Sequence, residues 1–317
     1  MSKSIFRLII AFIVIALVAM IIYLLFFVTN QSTPRSEKIE ITTSFYPLAE
    51  FSRQVGGEFV HVQSLTPTGV EPHDFEPAPR QIQTIYESDL FVFNGGGVDA
   101  WASDLASSIE QNGVKILEMS DFMTNLLPAT KNEEESEDHE EELFDEHFWL
   151  SPKRAQYQVE AIADALTVID PEHAVQYQLN ADSFIDELEK LDQEYKQGLA
   201  QCDIRVAVTS HAAFAYLAHD YDFQQLSLTG LSPDEEPSAG SLAKLSEVAK
   251  ELGVKYIFFE TLVDPKLTQT LAREIGAQTL VFNPLEGLTQ EEFSLGKNYL
   301  SIMRDNLNNL RTAMLCQ

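Results

Sequence analysis

Basic residues are scarce in this 317-residue chain: 21 Lys and Arg stand against 49 Asp and Glu, a formal charge of −28. A nucleic-acid partner needs a basic footprint to meet its phosphates, so that class is excluded. An acidic surface suits solubility and also draws cations. Cysteine is scarcer still. Cys202 and Cys316 are the only two, too far apart for a zinc-finger pattern; in an exported chain they either form one disulfide or remain free thiols. No cysteine stands near the end of the N-terminal apolar run, where a bacterial lipid anchor would need one.

That run extends uncharged from residue 8 to residue 28, behind Lys3 and Arg7. At a rise of ~1.5 Å per residue it is long enough to cross about 30 Å of hydrocarbon. The basic residues precede it, so the N-terminus stays inside and the bulk of the chain is exported. Secretory signal cores are shorter, ~7–15 residues, and end in a small-x-small cleavage site. None follows here, and residues 1–28 read as an uncleaved transmembrane anchor in preference to a cleaved signal. Residues 29–38 are a polar linker.

From residue 39 the pattern is strand, turn, helix, repeated. Strand-like runs at 39–44, 59–65, 90–93 and 114–117 alternate with amphipathic stretches at 48–55, 80–86 and 100–110. A second set of strand-like runs follows at 204–209, 223–228, 254–259 and 279–282, with helical stretches at 212–218, 241–252, 265–275 and 291–315. This is the signature of α/β architecture: two lobes, each a four-stranded parallel sheet flanked by helices. Between them, Phe184, Leu188, Leu191 and Tyr195 mark the buried face of a long helix. The expected organisation is an N-terminal lobe over 39–170, a rigid linking helix over 171–200 and a C-terminal lobe over 201–317. With 45% hydrophobic residues the chain can bury a large core.

The alternation stops at 131–146, where ten of sixteen residues are Asp or Glu. Such a run is expected to stay solvated as a surface loop; its functional alternative is a weak cation-collecting loop.

In parallel sheets, ligands bind outside the carboxyl ends of the strands. His73 lies in Glu71-Pro72-His73-Asp74-Phe75-Glu76-Pro77 after the second strand-like run, His211 closes 204–210, and Glu286 follows the run at 279–282. His147 stands just before Ser151-Pro152, a serine cap and first-turn proline that start a helix. We expect these four to converge on one metal ion in the cleft between the lobes. Three imidazoles and a carboxylate suit four-coordinate Zn(II). Calcium or magnesium would call for six or more oxygens, and manganese is a weaker match for an imidazole-rich set. His61, His173 and His219 sit inside a strand, in a first helical turn and near a helix end, and read as structural. Glu260 reads as a hydrogen-bonding carboxylate in preference to a ligand, and Glu71 and Asp74 as residues that orient His73.

The segments Gly69 to Pro77, His147-Phe148-Trp149-Leu150-Ser151-Pro152, Thr209-Ser210-His211-Ala212-Ala213-Phe214 and Asn283-Pro284-Leu285-Glu286-Gly287 together carry a resemblance. From about Lys38 to Leu315 the chain resembles the solute-binding subunits of bacterial zinc and manganese ABC importers, the cluster A-I group. The resemblance implies two lobes joined by a long helix, with the ion in the cleft. It implies that His73, His147, His211 and Glu286 are its ligands. Manganese members replace the third histidine with glutamate and carry aspartate near Asn283, so His211 and Asn283 point to zinc. It further implies a binding protein, not an enzyme, that hands Zn(II) to an ABC transporter permease on the extracytoplasmic face of the bacterial membrane. We expect a monomer. The alternatives are a Mn(II)-binding importer subunit and a zinc hydrolase, the latter requiring a coordination position that Glu286 would close.

Overall fold

The computed structural model describes residues 38–129 and 144–317, together with Leu17 and Met20. The expected anchor, most of the linker and residues 131–143 of the acidic stretch lie outside the described residues. Among the described residues no helix is long and apolar enough to cross a membrane.

Ile39–Gln317 form one compact unit containing two four-stranded parallel sheets. The first joins β1 (Ile39–Thr43), β2 (Val60–Ser64), β3 (Leu90–Phe93) and β4 (Lys115–Glu118) in the order β2-β1-β3-β4. The second repeats that order as β6-β5-β7-β8, with β5 at Val206–Thr209, β6 at Gln224–Ser227, β7 at Tyr256–Phe259 and β8 at Gln278–Val281. Each observed strand lies within about two residues of its expected run.

Three helices flank the first sheet: α1 (Tyr46–Gly56), α2 (Pro79–Tyr86) and α3 (Ala100–Gln111). Next come α4 (Pro152–Ile169) and α5 (Ala174–Gly198), whose 25 residues make it the longest described helix. The second sheet is accompanied by α6 (Ala215–Tyr221), α7 (Ala239–Glu251), α8 (Lys266–Ile275), α9 (Gln290–Ser294) and α10 (Tyr299–Ala313). The apolar spacing on α5 does what the sequence implies: Phe184, Leu188, Leu191 and Tyr195 are all buried. They belong to one continuous core with Leu48 and Phe51 of α1, Ile162 and Leu166 of α4, and Met303 and Leu310 of α10. At ~1.5 Å per residue α5 extends about 37 Å through this core.

Two expectations change. The last helix is not continuous from 291 to 315, because Gly296 takes the left-handed conformation (φ 68°). Asn298 then caps a new helix, its Oδ1 accepting from Ser301 N at 2.9 Å. Ser151 does precede α4, with Pro152 in the first turn, but its hydroxyl does not cap the helix. It donates instead to Asp220 Oδ2 at 2.5 Å, binding the start of α4 to the end of α6.

Cys202 and Cys316 are joined in a disulfide, 114 residues apart in sequence. The bond ties the chain end to the approach of β5 and settles the question that composition left open.

Candidate metal centre

Each of the four residues singled out by the sequence stands where a strand or helix boundary delivers it. His73 lies on the loop between β2 and α2. His211 follows β5, at the position where the strand order of the second sheet reverses, and Glu286 follows β8. His147 opens a short turn, Phe148–Leu150, before α4. Residues separated by as many as 213 positions thereby meet, with ligand atoms from all four within 4.8 Å of one another.

Glu286 Oε1 is the centre of the group. It stands 3.2 Å from His211 Nε2, 3.5 Å from His147 Nε2 and 3.5 Å from His73 Nε2. Ligand atoms ~2.0–2.2 Å from a tetrahedral ion lie roughly 3.3–3.6 Å apart, and the three separations from Glu286 Oε1 lie close to that range. The two 3.5 Å contacts are too long for good hydrogen bonds. His73 Nε2, His147 Nε2 and Glu286 Oε2 are buried without a hydrogen-bond partner. Donor atoms in that state are costly unless a cation satisfies them.

Burial makes the charges act strongly. His147 and His211 are 0% exposed and Glu286 is 1% exposed. Burial alone would raise the Glu286 carboxyl, but His211, His147 and His73 together hold it well below the usual carboxylate range. Burial likewise opposes charge on His147, yet the carboxylates of Asp145 and Glu286 push it up to about 10. His211 rises well above its ordinary value, burial being outweighed by Glu260 and Glu286.

The turn bearing Glu286 is held in an unusual shape. Leu285, fully buried, has φ 57°, a left-handed conformation seldom adopted by a branched residue. Asn283 Oδ1 locks it by accepting from Leu285 N at 2.8 Å. The Asn283 amide donates to Thr261 and Glu292, and its backbone is fixed in both directions by Asn306. Asn283 is therefore part of the frame of this turn and contributes no donor to the cluster.

A carboxylate stands behind each histidine. Asp145 Oδ1 accepts from both the backbone N (2.9 Å) and Nδ1 (3.0 Å) of His147. Glu260 Oε1 accepts from the N (3.2 Å) and Nδ1 (2.7 Å) of His211. A Nδ1–H held in this way leaves the Nε2 lone pair free to coordinate. Glu71 Oε1 accepts from His73 N at 3.2 Å only; burial first, then the charge of Glu286, pushes the Glu71 carboxyl up to about 9. Asp74, expected to orient His73, is turned elsewhere. It stands beside Asp234, and the proximity of the two carboxyls, aided by burial, raises Asp234 to about 6.

Asp145 is the residue that sequence reasoning missed. Asp145 and Glu146 belong to the acidic run expected to be solvated, yet they are 1% and 2% exposed. The reason is local: Asn94 Nδ2 donates to Glu146 O at 2.9 Å, and Gly96, at φ 88°, lets the chain approach where a Cβ would sit 2.8 Å from Glu146 Cβ. A signal was present, since Glu71-x-His73 and Asp145-x-His147 share one spacing. The other histidines stay apart: His61 pairs with Glu40, His173 with Asp170 and His219 with Asp220.

The profile of ZnuA, the zinc-uptake complex component A, periplasmic, matches residues 41–313. The zinc-binding lipoprotein AdcA of Streptococcus pneumoniae (strain ATCC BAA-255 / R6) is 41% identical over 278 residues, which are 86% of this chain and 55% of that protein. The chain thus spans about half the length of that relative. The high-affinity zinc uptake system protein ZnuA of Bacillus subtilis (strain 168) is 38% identical over 290 residues, 90% of this chain and 91% of that one. Among solved structures, the Zn(II)-bound ZnuA-like domain of Streptococcus pneumoniae AdcA superposes with a TM-score of 0.75 at 39% identity, covering 87% of this chain and 99% of that one. The laminin binding protein Lmb of Streptococcus agalactiae, described as having adhesin and metal transporting activity, gives 0.77 at 31% identity over 88% of this chain and 100% of that one. With its sheets, its converging cluster and these similarities, the chain belongs to the ZnuA family of zinc-uptake components.

Proposed function

We propose that this protein captures Zn(II) outside the cytoplasmic membrane and delivers it to an ABC-type importer, and that His73, His147, His211 and Glu286 are the four ligands. The observation that carries this reading is the set of 3.2–3.5 Å separations around Glu286 Oε1, which lie close to the edge lengths of a tetrahedral zinc site. The donor set favours zinc over manganese, since His211 supplies nitrogen where a harder oxygen would suit manganese. Glu286 fills the position that a hydrolytic zinc would need for water, which argues for carriage over catalysis.

In this reading the two sheets are the cores of an N-terminal lobe at 39–170 and a C-terminal lobe at 201–317, with 171–200 as the rigid link. The apolar run at 8–28 holds the protein at the membrane, so the captured ion is already beside its permease. The site needs no second copy of the chain, because all four proposed ligands come from one. The test is to measure uptake of zinc by cells carrying the chain or its Glu286→Ala variant. Restored growth at limiting zinc with the first and none with the second is the expected result; equal growth with both would remove the proposal.

A further inference from the structure

Glu260, which holds His211 in the metal centre, also forms part of the wall of a separate cavity of about 420 Å³. The cavity lies among the segment after β6, the start of α7 and the approach to α8. Glu260 is only 3% exposed. One of its carboxylate oxygens, Oε1, is committed to the backbone N and Nδ1 of His211. The other, Oε2, is buried without a hydrogen-bond partner. A buried carboxylate oxygen in that state is costly, and it marks a place where a donor belongs.

The rest of the wall describes that donor. Asp234 and Glu236 add negative charge, and Leu228, Leu242 and Leu267 make the surface between the carboxylates apolar. Two further acidic residues of the wall are already engaged: Glu235 accepts from Gly230 N at 3.0 Å and Ser232 N at 3.3 Å, and Asp264 pairs with Lys266. A bare metal ion does not answer to this lining. Among the described residues, the proposed zinc ligands are the only group of three or more metal donors close enough to share an ion. An ammonium is compact and strongly hydrated, a poor neighbour for three leucines. A guanidinium is planar, weakly hydrated and able to meet a carboxylate through paired N–H donors. Carried on an aliphatic stem it matches both the charged and the apolar parts of the wall, and the volume is that of a small-molecule site.

We propose that this cavity is a second binding site, for a guanidinium group on an aliphatic stem, and that its occupant acts on the metal centre through Glu260. The guanidinium donates to Oε2 while Oε1 stays on His211. A carboxylate shared with a second cation supports the His211 imidazole less strongly as a metal ligand, and the charge of bound zinc opposes the incoming guanidinium. The two ligands therefore weaken each other, by the same factor in either direction. The coupling rests on the proposed zinc site; occupancy of the cavity does not.

The experiment uses the full chain in detergent with N-butylguanidinium as the probe, beside n-butylammonium and the uncharged N-butylurea as controls. Calorimetric titration of the zinc-free chain should show one equivalent of the probe, bound at least about 10-fold more tightly than either control. With the probe saturating, zinc affinity should fall by about 5- to 10-fold. Leu242→Trp fills the cavity without altering any of the four proposed ligands. It should abolish both probe binding and the effect on zinc while keeping one tight equivalent of zinc, which also shows that the variant folds. Glu236→Gln, a milder change at the wall, should weaken the probe by roughly 3-fold and leave zinc unchanged. A blocked Ala-Arg-Ala peptide separates the sources: tighter binding than the probe assigns the cavity to an arginine of a partner protein, weaker binding to a free guanidinium compound. Absence of probe binding, equal binding of either control, or undiminished binding in Leu242→Trp would overturn the proposal, as would a second equivalent of zinc that expels the probe. Zinc affinity unmoved by saturating probe would refute the link through Glu260. A parent chain that binds the probe but no zinc would contradict the proposed function and leave the cavity's ligand standing.

Discussion

Glu260 Oε1 accepts two hydrogen bonds from one residue, His211: one from the backbone N at 3.2 Å and one from Nδ1 at 2.7 Å. The carboxylate thus fixes the rotation of the ring and leaves Nε2 facing Glu286. Glu260→Gln keeps the shape, loses the charge and presents a single oxygen. It is expected to weaken zinc binding by about 10- to 100-fold without changing the stoichiometry. Competitive titration against a chelator of known affinity checks this, and an unchanged affinity would show that the ring needs no such support.

Acidity should act through the histidines. In the metal-free site, burial lowers the His147 imidazole but the carboxylates of Asp145 and Glu286 outweigh this and bring it to about 10, above the ordinary ~6.5. A raised folded-state value contributes stability to the metal-free protein that is fully present below ~6.5 and is lost as pH rises toward about 10. Zinc must displace these protons, so its apparent affinity should climb with pH through the neutral range. Calorimetry at pH 7.5 in buffers of different ionisation enthalpy should register proton release on binding; identical heats in all buffers would contradict this.

How much of this was readable beforehand differs by residue. His73, His147, His211 and Glu286 were legible because each follows a strand-like run or precedes a helix start, and the topology of parallel sheets brings such positions to one rim. Asp145 was not, because an acidic run has the composition of a solvated loop and only the contacts of Asn94 and Gly96 show that its last residues turn inward. The break at Gly296 was hidden for a different reason: apolar spacing continues across it, and the left-handed turn is a backbone property that periodicity does not register. Ser151 shows a third limit, since a residue type favoured as a cap was claimed by a partner, Asp220, remote in sequence.

Asn283 offers a test of the frame. Asn283→Ala removes the acceptor that locks Leu285 in its left-handed conformation and leaves Thr261 and Glu292 short of a partner. Destabilisation by about 1–3 kcal/mol is expected, with weaker zinc binding because Glu286 loses its aim. Urea unfolding of the zinc-free protein reads the first effect. A variant as stable as the parent and equal to it in affinity would mean that the turn keeps its shape unaided.

The disulfide should matter for stability and not for the ion. Its 114-residue loop places it among those that restrict the unfolded chain most, and Cys202→Ser is expected to remove about 2–5 kcal/mol. Thermal unfolding with and without reductant checks the magnitude, and zinc stoichiometry should stay at one. Loss of zinc in the oxidised-to-reduced comparison would place the bond closer to the site's function than its position implies.

The most direct test of the central claim is metal binding itself: competitive Zn(II) and Mn(II) titration of the chain and of its His211→Ala and Glu286→Ala variants. One tight equivalent of zinc, preferred over manganese and weakened by both substitutions, is the result this account predicts. Weak zinc binding by the parent, or tight binding indifferent to both changes, would contradict it.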